Sequence, residues 1–191
     1  TLNSSQIYNL NGSFIVEPGA TLTIPEGTRI QALDGGTSVY IAVLKGAKIN
    51  VLGTEDSPVF MASVSGNPGD WGGLTICGDA TTTAGANAEA EVGGFIYGGA
   101  NDADNSGSIS YLVIEGTGAQ INPDSQYNGV SLYAVGAGTT INNVAIINGK
   151  DDGIEFFGGT VSVSNLFLEN NADDSIDWTE GWNGTVTNAY I

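Results

Sequence analysis

The sequence predicts an all-β solenoid, a coil of β-strands with about seven or eight rungs, on three observations. Asp151-Asp152-Gly153-Ile154-Glu155-Phe156 returns about 22 residues later as Asp173-Asp174-Ser175-Ile176-Asp177-Trp178, so acid, acid, small, Ile, acid and aromatic are stated twice. Asn143-Val144, Asn165-Leu166 and Asn188-Ala189 recur in the same register. Gly19-Ala20-Thr21-Leu22-Thr23-Ile24 is echoed by Gly46-Ala47-Lys48-Ile49-Asn50-Val51. A repeat with its apolar residues in phase marks a stack of units, because each unit buries its inner face only against the one before and the one after.

Taken in order, residues 1–16 hold Leu2, Ile7, Leu10, Phe14 and Val16 with polar interleaving, which suits a first strand and a cap over the end of the core. Leu22 with Ile24, Val39 with Ile41 and Val43, and Ile49 with Val51 alternate as half-buried strands do. After the strand around Val59 and Met61, Gly69-Asp70-Trp71-Gly72-Gly73-Leu74 makes a tight turn into the strand holding Cys77. Trp71 is expected to pack over the core at that corner, with an exposed sugar platform as the alternative. Residues 78–107 lose the apolar rhythm and read as a long loop thrown out from the coil. Alternation resumes at Ile109, Val130, Ile141, Ile154, Val161 and Ile176, giving about 35 Å of coil at the strand spacing. Thr185-Val186-Thr187-Asn188-Ala189-Tyr190-Ile191 reads as an unfinished, uncapped rung. A longer natural protein, end-to-end pairing of copies, or a tail sufficient by itself would each account for it.

All 191 residues fit one elongated domain. The chain carries 21 acidic residues against four cations, Arg29, Lys45, Lys48 and Lys150, and a net charge of −17. Such a surface repels nucleic-acid phosphates and anionic membranes, and it attracts divalent cations. There is no His, which excludes a Ser-His-Asp triad and a His-ligated zinc. Cys77 is the only cysteine, so no disulfide forms within the chain, and it is expected to be a small core residue. Neither a bilayer-spanning apolar run nor a basic, apolar leader is seen, so an exported protein would have this as its mature form.

Stacking has an electrostatic cost. With rungs about 4.8 Å apart, Asp151 meets Asp173, Asp152 meets Asp174, and Glu155 meets Asp177. Like charges at that distance repel by about 1 kcal/mol in water and about 3 kcal/mol at an effective dielectric near 20. A bound cation, raised carboxyl pKa values, or exposure with salt screening would relieve it, and Ca²⁺ suits an all-oxygen site. A second calcium candidate is Asp102-Ala103-Asp104-Asn105-Ser106-Gly107, where Asp102, Asp104 and Ser106 alternate as in the opening of a calcium loop. Its twelfth position is Val113 instead of a bidentate Glu, and an ordinary Asx-rich turn is the alternative.

The segments Gly19-Ala20-Thr21-Leu22-Thr23-Ile24-Pro25-Glu26-Gly27-Thr28, Gly69-Asp70-Trp71-Gly72-Gly73-Leu74, Gly93-Gly94-Phe95-Ile96-Tyr97-Gly98-Gly99, Asp104-Asn105-Ser106-Gly107 and Asp151-Asp152-Gly153-Ile154-Glu155-Phe156-Phe157-Gly158-Gly159-Thr160-Val161 together resemble secreted and cell-surface bacterial right-handed parallel β-helix proteins with the pectate-lyase-like fold. The resemblance implies that fold and an extracellular location, and it implies no activity.

Three functions follow as expectations. The first is a non-enzymatic, calcium-stabilised rod, either a stalk or a subunit that joins end to end into a fibre. The second is a calcium-dependent glycan-binding module with Trp178 and Trp182 as stacking faces. The third, a polysaccharide lyase or hydrolase, would use Lys150, Asp152 and Asp174. The rod is the reading preferred.

Overall fold

The computed structural model describes residues 1–123 and 125–191. Alternation sets which side of each strand faces in. In β3 (Thr21–Pro25), following β1 (Ile7–Leu10) and β2 (Ser13–Val16), Leu22 and Ile24 are buried and their neighbours are not. The chain continues through β4 (Arg29–Ala32), β5 (Tyr40–Val43), β6 (Lys48–Leu52), β7 (Val59–Ser63) and β8 (Leu74–Cys77). After an insertion holding β9 (Ala88–Glu89) and β10 (Ile96–Tyr97) come β11 (Gly107–Glu115), a small antiparallel pair β12 (Gln120–Asn122) and β13 (Ser125–Gln126), and β14 (Val130–Tyr133). The last coils are β15 (Thr140–Ile147), β16 (Ile154–Phe157), β17 (Val163–Glu169), β18 (Ile176–Thr179) and β19 (Val186–Tyr190).

Two large parallel sheets result. The long sheet runs β1-β4-β7-β11-β15-β17-β19, with β3 and β6 joined beside it, and the second runs β2-β5-β8-β14-β16-β18. This is a parallel β-helix of seven coils among the described residues, without a helix. Its core lies between the sheets, where Ile24, Val51, Met61, Ile76, Leu132, Ile146 and Phe156 are sealed from solvent. Trp71 is part of that core, wholly buried, and its Nε1 donates to the Glu115 carbonyl at 2.8 Å. Leu2, Tyr8 and Leu10 lie half-buried against the first coil, so residues 1–16 supply two strands as well as a partial cover.

The recurring asparagines have a backbone role that their spacing alone did not disclose. Strand β11 pairs with β6 through Ser110 and with β7 from Leu112, skipping Tyr111, whose φ is +48°. Asn143, Asn165 and Asn188 are skipped in the same way at φ of +53°, +56° and +56°. Each is the left-handed corner at which one long strand bends. Asn tolerates that conformation better than other side chains because its short amide bonds locally. In this column Asn188 Nδ2 donates to Asn165 Oδ1 at 3.1 Å, while Asn143 Nδ2 turns to Asn142 Oδ1. A second corner column adds Asn170 donating to Asn148, and Asn148 donating to Glu115.

The insertion is not thrown outward, as the sequence suggests; it folds back over the outer face of the second sheet. There Ala90, Val92 and Tyr97 build a second apolar cluster with Cys77, Tyr133 and Phe157. The Tyr133 and Phe157 rings stack at 4.0 Å. Strands β8, β14 and β16 are consequently buried on both faces. Cys77 belongs to this second cluster, where burial pushes its thiol up to about 12 and leaves it unreactive. The insertion is tied at both ends. Lys45 Nζ pairs with Asp79 at 3.1 Å and donates to the Gly98 carbonyl, while Tyr97 OH and Thr82 Oγ1 donate to the Glu180 carboxylate at 2.8 and 2.6 Å. Its return into β11 passes Gly107, at φ +116°, where a Cβ would run into the Ile49 carbonyl.

The corner assignment is testable at Asn165. Replacement by Ala puts a less tolerant residue at positive φ and removes the bond from Asn188, so urea denaturation should show a loss of about 1–2 kcal/mol, with Asn165→Gly losing less. Equal losses for Ala and Gly would show that the amide bond matters and the corner does not.

Candidate functional site

The acidic repeat forms a seam on the second sheet where β16 and β18 lie side by side. Parallel register sets Glu155 directly against Asp177. Just before these strands, Asp174 N–H donates to Asp152 Oδ1 at 2.9 Å and Gly153 N–H donates to the Asp174 carbonyl at 2.9 Å, which stacks the two Asp-small-Ile turns. Two overlapping groups of acids converge with their oxygens within 4.8 Å of one another: Asp152, Glu155 and Asp177, and Asp152, Asp173 and Asp174. Asp152 is common to both.

The seam is costly where it is buried. Asp152 is 7% exposed and Glu155 9%. Loss of water is the main cause that raises Asp152 to about 7 and Glu155 to about 9, with neighbouring acids adding to it. Asp151 is raised by burial and by the charge of Asp173, although it joins neither converging group. Glu91, carried by the insertion, is raised by burial and by the charges of Asp151 and Glu180, so it adds to the acidity of this region.

Asn128 completes the site, and it was missed from the sequence. It is 1% exposed, and its Nδ2 donates to Glu155 Oε2 at 2.6 Å and to Ser131 Oγ at 3.2 Å. Its Oδ1 is buried with no partner among the described residues, as is Thr75 Oγ1 in the same outer column, Thr75-Ser131-Glu155-Asp177. A legible signal existed: Asn128-Gly129-Val130 stands one coil before Asp152-Gly153-Ile154 and two before Asp174-Ser175-Ile176.

Other expected residues fare differently. Asp102 accepts from the Thr81 backbone N–H and hydroxyl at 3.0 and 2.7 Å, bonds that hold its carboxyl below the usual range. Asp104 accepts from Ser106 Oγ at 3.0 Å, and Asn105 Oδ1 accepts from Gly107 N–H. Asp102 and Asp104 enter no converging group of acids among the described residues, and the segment is built as an Asx-rich turn. Trp182 is not a free stacking face. It packs flat on Phe156 at 4.2 Å and donates Nε1 to the Val161 carbonyl. Trp178 is 62% exposed, and it borders an open hollow with Asp173, Asp174 and Trp182. Lys150 is exposed with its stem over Gly69, and it forms no ion pair with any described acid.

The seam fixes a pH dependence. Glu155 rises from 4.5 to about 9 and Asp152 from 3.8 to about 7, so the folded protein holds both protons more tightly than the unfolded chain. Their contribution to stability is then fully present below about pH 4 and is lost as pH rises through these windows. In chelator, melting temperature should fall between about pH 4.5 and pH 9, and Glu155→Gln should remove most of that slope; an unchanged slope would separate Glu155 from it.

The family profile described as pectate-lyase like beta helix domain matches residues 1–191. No curated protein and no solved structure matches the chain. With coils, parallel register and a match over the whole length in agreement, the chain belongs to the pectate-lyase-like beta-helix domain family.

Proposed function

We propose that this domain is a non-catalytic, extracellular structural element, a rigid β-helical stalk or fibre subunit whose acidic seam is neutralised by Ca²⁺. The observation that carries the reading is the buried, unpartnered Asn128 Oδ1 beside the converging Asp152, Glu155 and Asp177 carboxyls. A buried acceptor next to three acids is costly unless something electropositive meets it. All candidate ligands are oxygens, there is no His, and the lone thiol lies in another cluster, so the donor set fits a hard cation and does not fit zinc. Asp152, Glu155, Asp177 and Asn128 would hold the ion, with Asp173 and Asp174 beside them. A bound cation would supply charge compensation, letting Glu155 ionise where burial otherwise keeps its proton.

The placement of Lys150 supports the non-catalytic part. A lyase needs a base held close to the cation, whereas Lys150 is exposed, lays its stem over Gly69 and pairs with no acid among the described residues. The fibre form of the proposal rests on sheet direction. Among the described residues strands β1 and β19 are the outermost of one parallel sheet, so β1 of a second copy laid on β19 would prolong it in the same sense. A calcium-dependent glycan module is the second reading, favoured by exposed Trp178 beside Asp173 and Asp174, and Trp178→Ala would abolish its binding.

At pH 8, Ca²⁺ at one hundred times its Kd should stabilise by about 2.7 kcal/mol, or about 5–10 °C in Tm, and chelation should reverse it. Glu155→Gln should lose most of this increment. Identical melting in Ca²⁺ and in chelator would overturn the cation assignment, and unsaturated products from uronate polymers, lost in Lys150→Ala, would overturn the non-catalytic one.

A further inference from the structure

The outer face of the long sheet carries a second surface, independent of the acidic seam. Register aligns Arg29, Phe60, Val113, Ala145, Phe167 and Tyr190 in one outward column across successive coils. Arg29 covers the Phe60 ring at 4.5 Å, while Phe167 is 39% and Tyr190 66% exposed, their rings parallel at 5.1 Å. The small side chains of Val113 and Ala145 leave a hollow of about 290 Å³ between Pro58 and Phe167. A second hollow of about 490 Å³ shares Asn165 and Phe167 with it and extends to Tyr190. Together they make one shallow groove along the coil axis.

The corner asparagines border this groove once per coil. Asn143 and Asn165 edge the first hollow and Asn165 and Asn188 the second, so an amide is presented at intervals of about 4.8 Å. Among the described residues, Glu55, at one end, is the only charged one bordering either hollow. A surface of amides beside exposed aromatic rings offers donors and acceptors to hydroxyls and apolar area to C–H groups. Regular spacing along an axis suits a polymer with a short repeat. The chain's charge of −17 opposes uronates, sulfated glycans and nucleic acids.

We propose that this groove binds a neutral polysaccharide lying along the coil axis, with Phe167 and Tyr190 as the apolar contacts and Asn143, Asn165 and Asn188 as the hydrogen-bonding edge. It requires neither the cation nor Trp178, so it stands or falls separately from the readings above.

Affinity electrophoresis of the intact chain through gels containing hydroxyethylcellulose, arabinoxylan or polygalacturonate tests it. Retardation is expected on at least one neutral polymer, equally in Ca²⁺ and in chelator, and not on polygalacturonate. The Phe167→Ala/Tyr190→Ala pair should weaken it at least about tenfold, one factor of ten corresponding to about 1.4 kcal/mol. Val113→Trp, which fills the first hollow without removing either ring, should do the same, with Tm confirming that both variants fold. No retardation on either neutral polymer, equal retardation on polygalacturonate, or retardation unchanged in both variants would overturn the proposal. So would sedimentation showing a dimer that Phe167→Ala dissolves, since a second copy would then be the occupant.

Discussion

Stacking one coil on the next at about 4.8 Å makes the nearest neighbour of almost every side chain the residue at its own phase in the adjacent coil. Every feature of this chain is a response to that constraint. For Ile24, Val51, Ile109, Ile141 and Val163, like on like is a continuous core. For Asn165 and Asn188 it is an amide bond, and for Phe167 and Tyr190 a ring stack. For Glu155 and Asp177 it is repulsion. One geometry thus yields adhesion or strain according to which residue type is repeated, and the strained positions are where chemistry becomes possible.

The insertion sharpens the difference. The outward column Thr75-Ser131-Glu155-Asp177 lies on the face that it partly covers, where less water is left to screen the acids. Residues 78–106 lay Val92 and Tyr97 beside Tyr133 and Phe157 on the same outer face where Glu155, bonded by Asn128, is buried and Asp177 half-exposed. Charge repetition along the coil and dehydration across it come from distant parts of the sequence. Their intersection is the Asp152, Glu155 and Asp177 site.

Periodicity made the coil legible, since a burial pattern of period two in phase over about 22 residues admits few other folds. It also placed Asp152, Glu155, Asp173, Asp174 and Asp177 together, because parallel register follows from the repeat. Contributions that break the repeat were not legible. The path of residues 78–106 depends on an apolar surface that exists only after coiling, so Tyr97 and Glu91 could not be placed beside β16. Asn128 was overlooked because its coil substitutes an amide for the acid at that phase. Composition left two readings of the Asp102 turn because the same short oxygen side chains serve a cation or a backbone N–H, and the Thr81 N–H bonds Asp102 here. Trp182 showed aromatic character and period, and neither reports that Phe156 takes up one of its faces.

The two attachments of the insertion also change how the coil would come apart. A plain solenoid is a one-dimensional stack in which terminal coils peel away with little consequence for those further in. Here a strap leaves the third coil, is held there through Lys45, and grips Glu180 beyond the sixth coil's β18. Peeling that end must therefore either break the Tyr97 and Thr82 bonds or pull the strap from the Tyr133 and Phe157 rings. Distant coils are made to share one melting event, so the shaft behaves less like a zipper and more like a riveted beam.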